Sequence, residues 1–310
     1  MNMYRNFQEA YYGVLKDIYT TGEAVTVRGL EMREKIPYYF EIANPRDRLL
    51  NINCRKNTRK YTFGELMWYL SGRDDVAFIS KYSKVWGRLS DDGIHSNSAY
   101  GKYIFRPMPN IGFGSEYTGS NDPNYNSNLS FKTQWDYVKE VLQKDPYSRQ
   151  AVIQIKPVQM YDTKDITCTY FLQFFIREGK LDLVVGMRSN DVIYGTTYDV
   201  FMFTFLQELM AAELGIDIGI YKHFSSNTHV YMKDKEIVEK ILEEKADNRD
   251  TLVFDKIPAN FRENDLPILL ELEEVYWKYK DDINKVDDAT KMKYNKLSNV
   301  GKQLFNLLVD

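Results

Sequence analysis

The stretch that decides the fold runs from Cys168 to Gly215, CTYFLQFFIREGKLDLVVGMRSNDVIYGTTYDVFMFTFLQELMAAELG. Two strand-like runs, Tyr170–Ile176 and Leu181–Met187, flank Arg177-Glu178-Gly179-Lys180, a turn sequence that reads as a hairpin. Val200–Leu214 is apolar and stops at Gly215, which reads as a buried helix. The polar residues Arg188, Ser189, Asn190, Asp191, Gly195 and Asp199 lie between hairpin and helix. Thr167-Cys168-Thr169 opens the stretch, and His229 and Tyr231 close it at the end of a strand-like run, Ile220–Tyr231. A thiol, an arginine, two acids and a His-x-Tyr pair suit a site that holds a small anion while a cysteine attacks it.

Upstream, residues 4–20 have the spacing of an amphipathic helix. Ala24–Met32 alternates as a strand, with Tyr38–Ile42 as its expected partner, and residues 44–48 read as a turn or helix start. The basic run Arg55–Lys60 reads as a solvated loop, or as an attractor for an anionic ligand or tail. Tyr61–Leu70 has helical spacing and ends at Ser71-Gly72, with Glu65 inside it; Val76–Tyr82 is a further short helix. Residues 90–98 are a loop, and residues 108–130, rich in Gly, Asn, Ser and Pro, read as a loop insertion. Thr133–Gln143 is an amphipathic helix and Ala151–Ile155 a strand.

Beyond Lys235 the composition turns helical and charged. Lys235–Lys245, Pro267–Lys280 and Asp287–Leu308 read as helices, and Arg249–Phe254 as a strand. The expectation is one catalytic domain over residues 1–240 with a helical C-terminal extension, 241–310, of the same domain. The 310 residues carry 41 Lys and Arg against 44 Asp and Glu, a net charge of −3, and the basic residues are dispersed. That balance gives no general reason to bind nucleic acid or an anionic membrane. No stretch is long and apolar enough to span a bilayer, and MNMYRNFQEAYYGVL lacks the features of a secretory signal. Two widely separated cysteines, Cys54 and Cys168, show no metal spacing and are expected as free thiols of a cytoplasmic chain.

Residue type alone leaves several roles open. Cys168 is a nucleophile or a small buried hydrophobe. Glu65 is a surface helix residue or a buried acid–base group. A cysteine–histidine pair is allowed, although no local motif supports one. Ser148-Arg149 and Arg188-Ser189 each combine a guanidinium fork with a hydroxyl, a natural grip for phosphate.

The order and spacing of these blocks resemble the thymidylate synthase superfamily. The matching blocks are Glu65-Leu66-x-Trp68-x-Leu70-x-Gly72, Trp86, Tyr100-Gly101-Lys102 and Asp145-Pro146-x-Ser148-Arg149. Cys168-x4-Gln173-Phe174, Arg188-Ser189-x-Asp191-x3-Gly195 and His229-x-Tyr231 come next, so the resemblance covers roughly residues 24–234. It implies an α+β fold with a mixed β-sheet packed by helices, and a homodimer formed through the sheet. It further implies a pyrimidine nucleoside monophosphate as substrate and 5,10-methylenetetrahydrofolate as one-carbon donor, with no metal. In that scheme Cys168 adds to C6 of the base, Glu65 manages protons through ordered water, and Tyr100 lies near the C5 proton. Arg188, Ser189 and, across the dimer, Arg149 hold the phosphate. His229 and Tyr231 hold the sugar hydroxyl, Gln173 belongs to the substrate site, and Trp86, Asp191 and Gly195 line the folate site.

Position 199 distinguishes branches of the superfamily. Thymidylate synthases carry asparagine there, whose amide reads the uracil edge. An aspartate sharing a proton with N3 reads the reversed edge of cytosine. Asp199 thus resembles the deoxycytidylate hydroxymethylase branch, in which water rather than folate hydride completes the reaction. The local alternative for Asp199 is an N-cap of the helix starting at Val200. Competing functions are thymidylate synthesis or hydroxymethylation on dUMP, hydroxymethylation of CMP, and non-catalytic nucleotide binding. The chain departs from the family in having Gln150 where a second arginine is usual. Arg28 is the candidate for the N-terminal phosphate-loop arginine, and the folate-closing C-terminal tail has no recognisable match.

Overall fold

The computed structural model describes residues 2–55, 58–107, 133–156, 162–244, 253–279 and 287–309. The insertion expected over 108–130 lies outside them, as does most of the strand expected over Arg249–Phe254. In chain order the first elements are β1 (Met3–Tyr4), α1 (Phe7–Thr21), β2 (Glu23–Val27), β3 (Leu30–Lys35), β4 (Tyr38–Ile42) and α2 (Thr58–Leu70). Then come α3 (Val76–Ile79), α4 (Val85–Leu89), α5 (Tyr100–Phe105), α6 (Gln134–Lys144) and β5 (Val152–Gln154). The hairpin β6 (Thr169–Arg177) and β7 (Lys180–Met187) leads to β8 (Asn190–Asp191), a π turn (Val192–Thr196) and α7 (Thr197–Leu214). The chain continues with β9 (Asp217–Ser225), β10 (Thr228–Tyr231), α8 (Lys235–Glu243), α9 (Phe261–Tyr279), α10 (Asp288–Lys296) and α11 (Asn299–Val309).

The strands form two sheets. A mixed six-stranded sheet has the order β1-β4-β9-β7-β6-β5, and a four-stranded sheet the order β2-β3-β10-β8. Alternation along the large sheet puts Leu172, Phe174, Leu183, Val185, Tyr221 and Phe40 into the core. Helix α7 packs against β7 and β9 from that side. Thirteen of its residues are buried, which is the behaviour of a helix apolar all round. Phe171, Phe175, Val184, Ile218 and Ile220 alternate with the core residues and are half-buried, while Phe224 is exposed. Those side chains therefore stand on the sheet's other, less covered face.

Several expectations need correction. Ala24–Met32 is not one strand: the chain turns at Arg28-Gly29, both with positive φ, so β2 and β3 form a hairpin. Alternation continues through the turn and hides it. Tyr38–Ile42 does not pair with that hairpin but joins β1 and β9 in the other sheet. Ile220–Tyr231 is likewise two strands in two sheets, broken at Ser226-Asn227. Asp287–Leu308 is two helices, because Asp265 takes the backbone N–H and hydroxyl of Ser298 at the break. Helix α11 packs on α2 and α9, burying Leu304, Leu307 and Leu308.

Glycine sets the approach of α5 to α2. A Cβ at Gly101 would run into the Tyr69 carbonyl oxygen, so only glycine lets the helices meet there. The contact seats Tyr100 against Tyr69, with ring centroids 5.5 Å apart.

Candidate active site

Cys168 precedes β6 at the end of the large sheet, where the strand register shifts between Thr169 and Phe171. Its thiol is partly exposed, and Arg188 Nη2 lies 3.5 Å from Sγ. Burial pushes the thiol above its ordinary value, and the Arg188 guanidinium pulls it back. Arg188 is itself braced: Nε donates to Thr167 O and Nη2 to Ile166 O, each at 3.0 Å. Hairpin register thus carries the cation to the thiol, as Thr169 pairs with Met187.

The Tyr100 hydroxyl accepts the N–H groups of Cys168 and Thr169, at 3.1 and 3.3 Å. Its own proton remains available, since no acceptor is bonded to it among the described residues. The hydroxyls of Thr167 and Thr169, on either side of the thiol, are buried and unpartnered. Unpaired buried polar atoms are costly, so their concentration here marks a place built for a ligand or water.

Two carboxyls face this centre from helices. Glu65, buried in α2, is pushed up to about 8, first by burial and then by the charge of Asp199. One oxygen, Oε1, takes the Tyr61 hydroxyl proton at 3.0 Å, while Oε2 is buried without a partner. Asp199, in the first turn of α7, is pushed up to about 7, with burial again the leading cause. The expected N-cap role of Asp199 is not what the structure has. The helical path begins seven residues earlier at Val192, and Asp191 caps it by accepting from Ile193 N and Tyr194 N. Asp199 Oδ2 instead accepts from Asn190 Nδ2 at 3.0 Å. The Thr196 hydroxyl donates to Asn190 Oδ1 at 2.5 Å, which fixes the amide with its N–H side toward Asp199. Gly195 lies beneath: a Cβ there would come 3.2 Å from Asp199 Oδ2 and 3.1 Å from Asn190 Nδ2.

The small sheet supplies the remaining wall. Parallel pairing of β10 with β8 sets His229 opposite Asp191, and Tyr231 stands two residues on. Burial pushes His229 below its ordinary value and Asp191 above its own, each opposed by the other's charge. His229 Nδ1 is bonded to Asn227 Oδ1 at 2.8 Å, and no histidine among the described residues is hydrogen-bonded to Cys168. His223 is buried against Phe40 and held neutral, pushed down to about 3, and His95 sits on an exposed loop with Asp92.

Cys168, Tyr100, Arg188, Glu65, Asp199, Asp191, His229 and Tyr231 are thereby linked through bonds, register or mutual charge. Trp86 joins through Tyr61, to whose hydroxyl its indole N–H donates at 3.0 Å. Ser189 is partly exposed beside Arg188. Arg149 and Gln173 are not brought to this centre within one chain. Arg149 is exposed, and Gln173 Nε2 donates to its carbonyl oxygen at 2.9 Å.

Three contributors escape a reading of residue type. Asn190 is visible only as part of a motif. Tyr61 shows itself by standing four residues before Glu65, on the same helix face. Arg55 overturns the expectation of a solvated basic loop: it is half-buried and donates to Ile193 O, Thr197 Oγ1 and the Tyr11 hydroxyl. It ties the loop before α2 to the π turn, while Thr58–Lys60 already belong to α2.

A thiol beside a guanidinium, faced by two carboxyls of raised value, is equipped for covalent addition to a small electrophilic ring and for moving its protons. No cluster of His, Cys, Asp and Glu among the described residues is arranged to hold a metal, and no described helix is long and apolar enough to cross a membrane. The chain belongs to the thymidylate synthase family, whose sequence model, Thymidylate synthase, matches residues 9–284. It is 32% identical over 231 residues to the deoxyuridylate hydroxymethyltransferase of Bacillus phage SP01, covering 73% of this chain and 57% of that protein. It is 26% identical over 169 residues to the thymidylate synthase of Haloferax volcanii, covering 54% of this chain and 49% of the relative. Against thymidylate synthase 1 of Bacillus spizizenii the identity is 25% over 239 residues, covering 73% and 80%. The chain thus spans only about half the length of the SP01 and Haloferax relatives. The solved thermostable thymidylate synthase A from Bacillus subtilis shares the fold, with a TM-score of 0.63 at 22% identity over 83% of this chain and 91% of that one.

Proposed function

We propose that the chain transfers a one-carbon unit to C5 of a pyrimidine nucleoside monophosphate, and that its substrate is dCMP, giving 5-hydroxymethyl-dCMP. The observation that carries the choice of base is the carboxyl of Asp199, held by Asn190 and pushed up to about 7. A carboxyl that is readily protonated can donate to cytosine N3 with one oxygen and accept from the 4-amino group with the other.

The residues then act in a definite order. The Cys168 thiolate, favoured by Arg188, bonds to C6, and the C5=C6 electrons move to C5. C5 bonds to the carbon that 5,10-methylenetetrahydrofolate would supply at the oxidation level of formaldehyde, whose bond to the folate nitrogen would break as the C5 proton leaves, releasing tetrahydrofolate. The C5 proton passes to ordered water beside the Tyr100 hydroxyl, and its loss leaves an exocyclic methylene on the Cys168 adduct. Water bonds to that carbon and gives a proton to Glu65 in its ionised form as the methylene π electrons restore C5=C6. The sulfur–C6 bond breaks and Cys168 departs as thiolate. No external reductant is consumed.

The residues suit the donor. The polar edge of Trp86 is bonded to Tyr61, leaving its ring for stacking, and Asp191 spends Oδ1 on its cap while Oδ2 remains. We read Arg188 and Ser189 as phosphate contacts, His229 and Tyr231 as sugar contacts, and Arg149 as a phosphate contact offered to a second copy. The less covered sheet face bearing Phe171, Val184 and Phe224 supports a homodimer through the sheet. Burial raises the Tyr231 hydroxyl, and Arg28, close enough to oppose that rise, is a further cation on the sugar side.

A second reading, hydroxymethylation of dUMP, is favoured by the activity for which the SP01 relative is named. Neutral Asp199 reads uracil by donating to O4 and accepting from N3–H, whereas ionised Asp199 cannot donate. Assays with methylenetetrahydrofolate and dCMP, dUMP or CMP, tracking C5 tritium release and product mass, separate the readings. Turnover of dUMP without dCMP overturns the first.

A further inference from the structure

The Trp86–Tyr61–Glu65 chain links a partly buried tryptophan to a buried acid. Tyr61 and Glu65 are one turn apart on α2, and the Tyr61 ring packs on Tyr198, the neighbour of Asp199, with centroids 4.5 Å apart. An indole N–H can only donate, so the Tyr61 oxygen receives the Trp86 proton and sends its own to Glu65 Oε1. A neutral carboxyl that accepts at one oxygen carries its proton on the other. For Glu65 that is Oε2, the buried oxygen left without a partner.

We propose that Tyr61 is a positioning residue: it confines the Glu65 proton to Oε2 and ties that choice to Trp86, whose indole it accepts from. Trp86 is only partly buried, on α4 with its ring 4.9 Å from that of Trp68, while Tyr61 and Glu65 lie in α2. A ligand stacked on Trp86 therefore acts on the proton-transfer group through one intervening hydroxyl. The proposal rests on the reading of Glu65 as that group. The titratable groups facing Glu65 are Asp199 on α7, which raises it, and Tyr61, which lowers it; Tyr69 and Tyr198 also feel its charge.

The test uses the full chain with Tyr61→Phe and Trp86→Phe. Removing the Tyr61 hydroxyl removes a donor to the ionised form, so Glu65 holds its proton to higher pH. The acidic limb of kcat should move to higher pH in Tyr61→Phe, with kcat at neutral pH down about tenfold or more and the nucleotide KM little changed. Trp86→Phe, which keeps the Tyr61 hydroxyl, should move the limb the same way by less. An equal fall in kcat at every pH, with the limb unmoved, overturns the proposal. A second measurement needs no turnover: the infrared carbonyl band of neutral Glu65, identified by its loss in Glu65→Gln, should persist to higher pH in Tyr61→Phe. An unshifted band overturns the positioning role whatever the substrate. A shifted band in a protein inactive on every nucleotide overturns the proposed reaction and leaves the positioning role standing.

Discussion

Asn190 donates its amide N–H to Asp199 Oδ2 at 3.0 Å, and Thr196 prevents the amide from turning round. One oxygen of the carboxyl is thereby kept an acceptor, and any proton on Asp199 is left to Oδ1. Thr196→Val frees the amide, and the ratio of kcat/KM for dCMP over dUMP should narrow several-fold, about 1 kcal/mol of discrimination. Steady-state kinetics on both nucleotides measure this; an unchanged ratio means the amide orientation is irrelevant.

Asp199→Asn replaces a titrating carboxyl by an amide suited to uracil. The dCMP-to-dUMP ratio should move toward dUMP by about 100-fold or more, the scale expected when a site's polar groups are left mismatched. If selectivity holds, Asp199 does not read the base.

Removing Arg188 tests the thiol. Arg188→Gln takes away the charge that opposes burial at Cys168, so the thiol should rise further. Alkylation of Cys168 at pH 7 should slow roughly fivefold or more, its pH profile moving to higher pH. Cys168→Ser is the companion variant: turnover is lost and nucleotide binding by calorimetry is kept.

Stability should depend on pH through Glu65. Its folded value, about 8, lies above the 4.5 of an ordinary glutamate. Its contribution is therefore complete below about 4.5 and lost as pH rises through 8. Glu65→Gln does not titrate, so it should lose less stability than the parent between pH 5 and pH 8, by roughly 2–4 kcal/mol. Denaturant melts at both pH values measure the difference, and parallel losses contradict it.

Leu304, buried where α11 meets α2, tests whether the C-terminal helices fold with the site. Leu304→Ala should cost roughly 2–4 kcal/mol and leave a single cooperative transition seen by both near-UV circular dichroism and Cys168 protection. Two separated transitions would show an independent unit.

Much of this molecule is legible in its residues. The Arg177–Lys180 hairpin and the Gly215 stop announce themselves through turn and cap chemistry. Cys168, Arg188 and Asp199 are legible by type and spacing. The turn at Arg28-Gly29 is not, because strand alternation continues through it. Tyr61 is missed because α2 is buried on several faces, and hydrophobic spacing then says nothing about which polar group turns inward; Arg55, in the loop before α2, is missed because its acceptors on Tyr11, Ile193 and Thr197 lie far away in sequence. The helical start before Asp199 is hidden because a π turn leaves no compositional mark.

That π turn also sets a phase. It closes each hydrogen-bonded ring with one residue more than an α-helix does, and every residue added or removed there rotates the downstream helix by roughly 100° relative to Asp191. A single deletion between Val192 and Thr196 would present Val200, and a single insertion Tyr198, in the direction Asp199 now faces, with the apolar composition of α7 untouched. If Asp199 reads the base as proposed, substrate choice is exposed to changes of length as well as of residue, at a turn that itself need never touch the base.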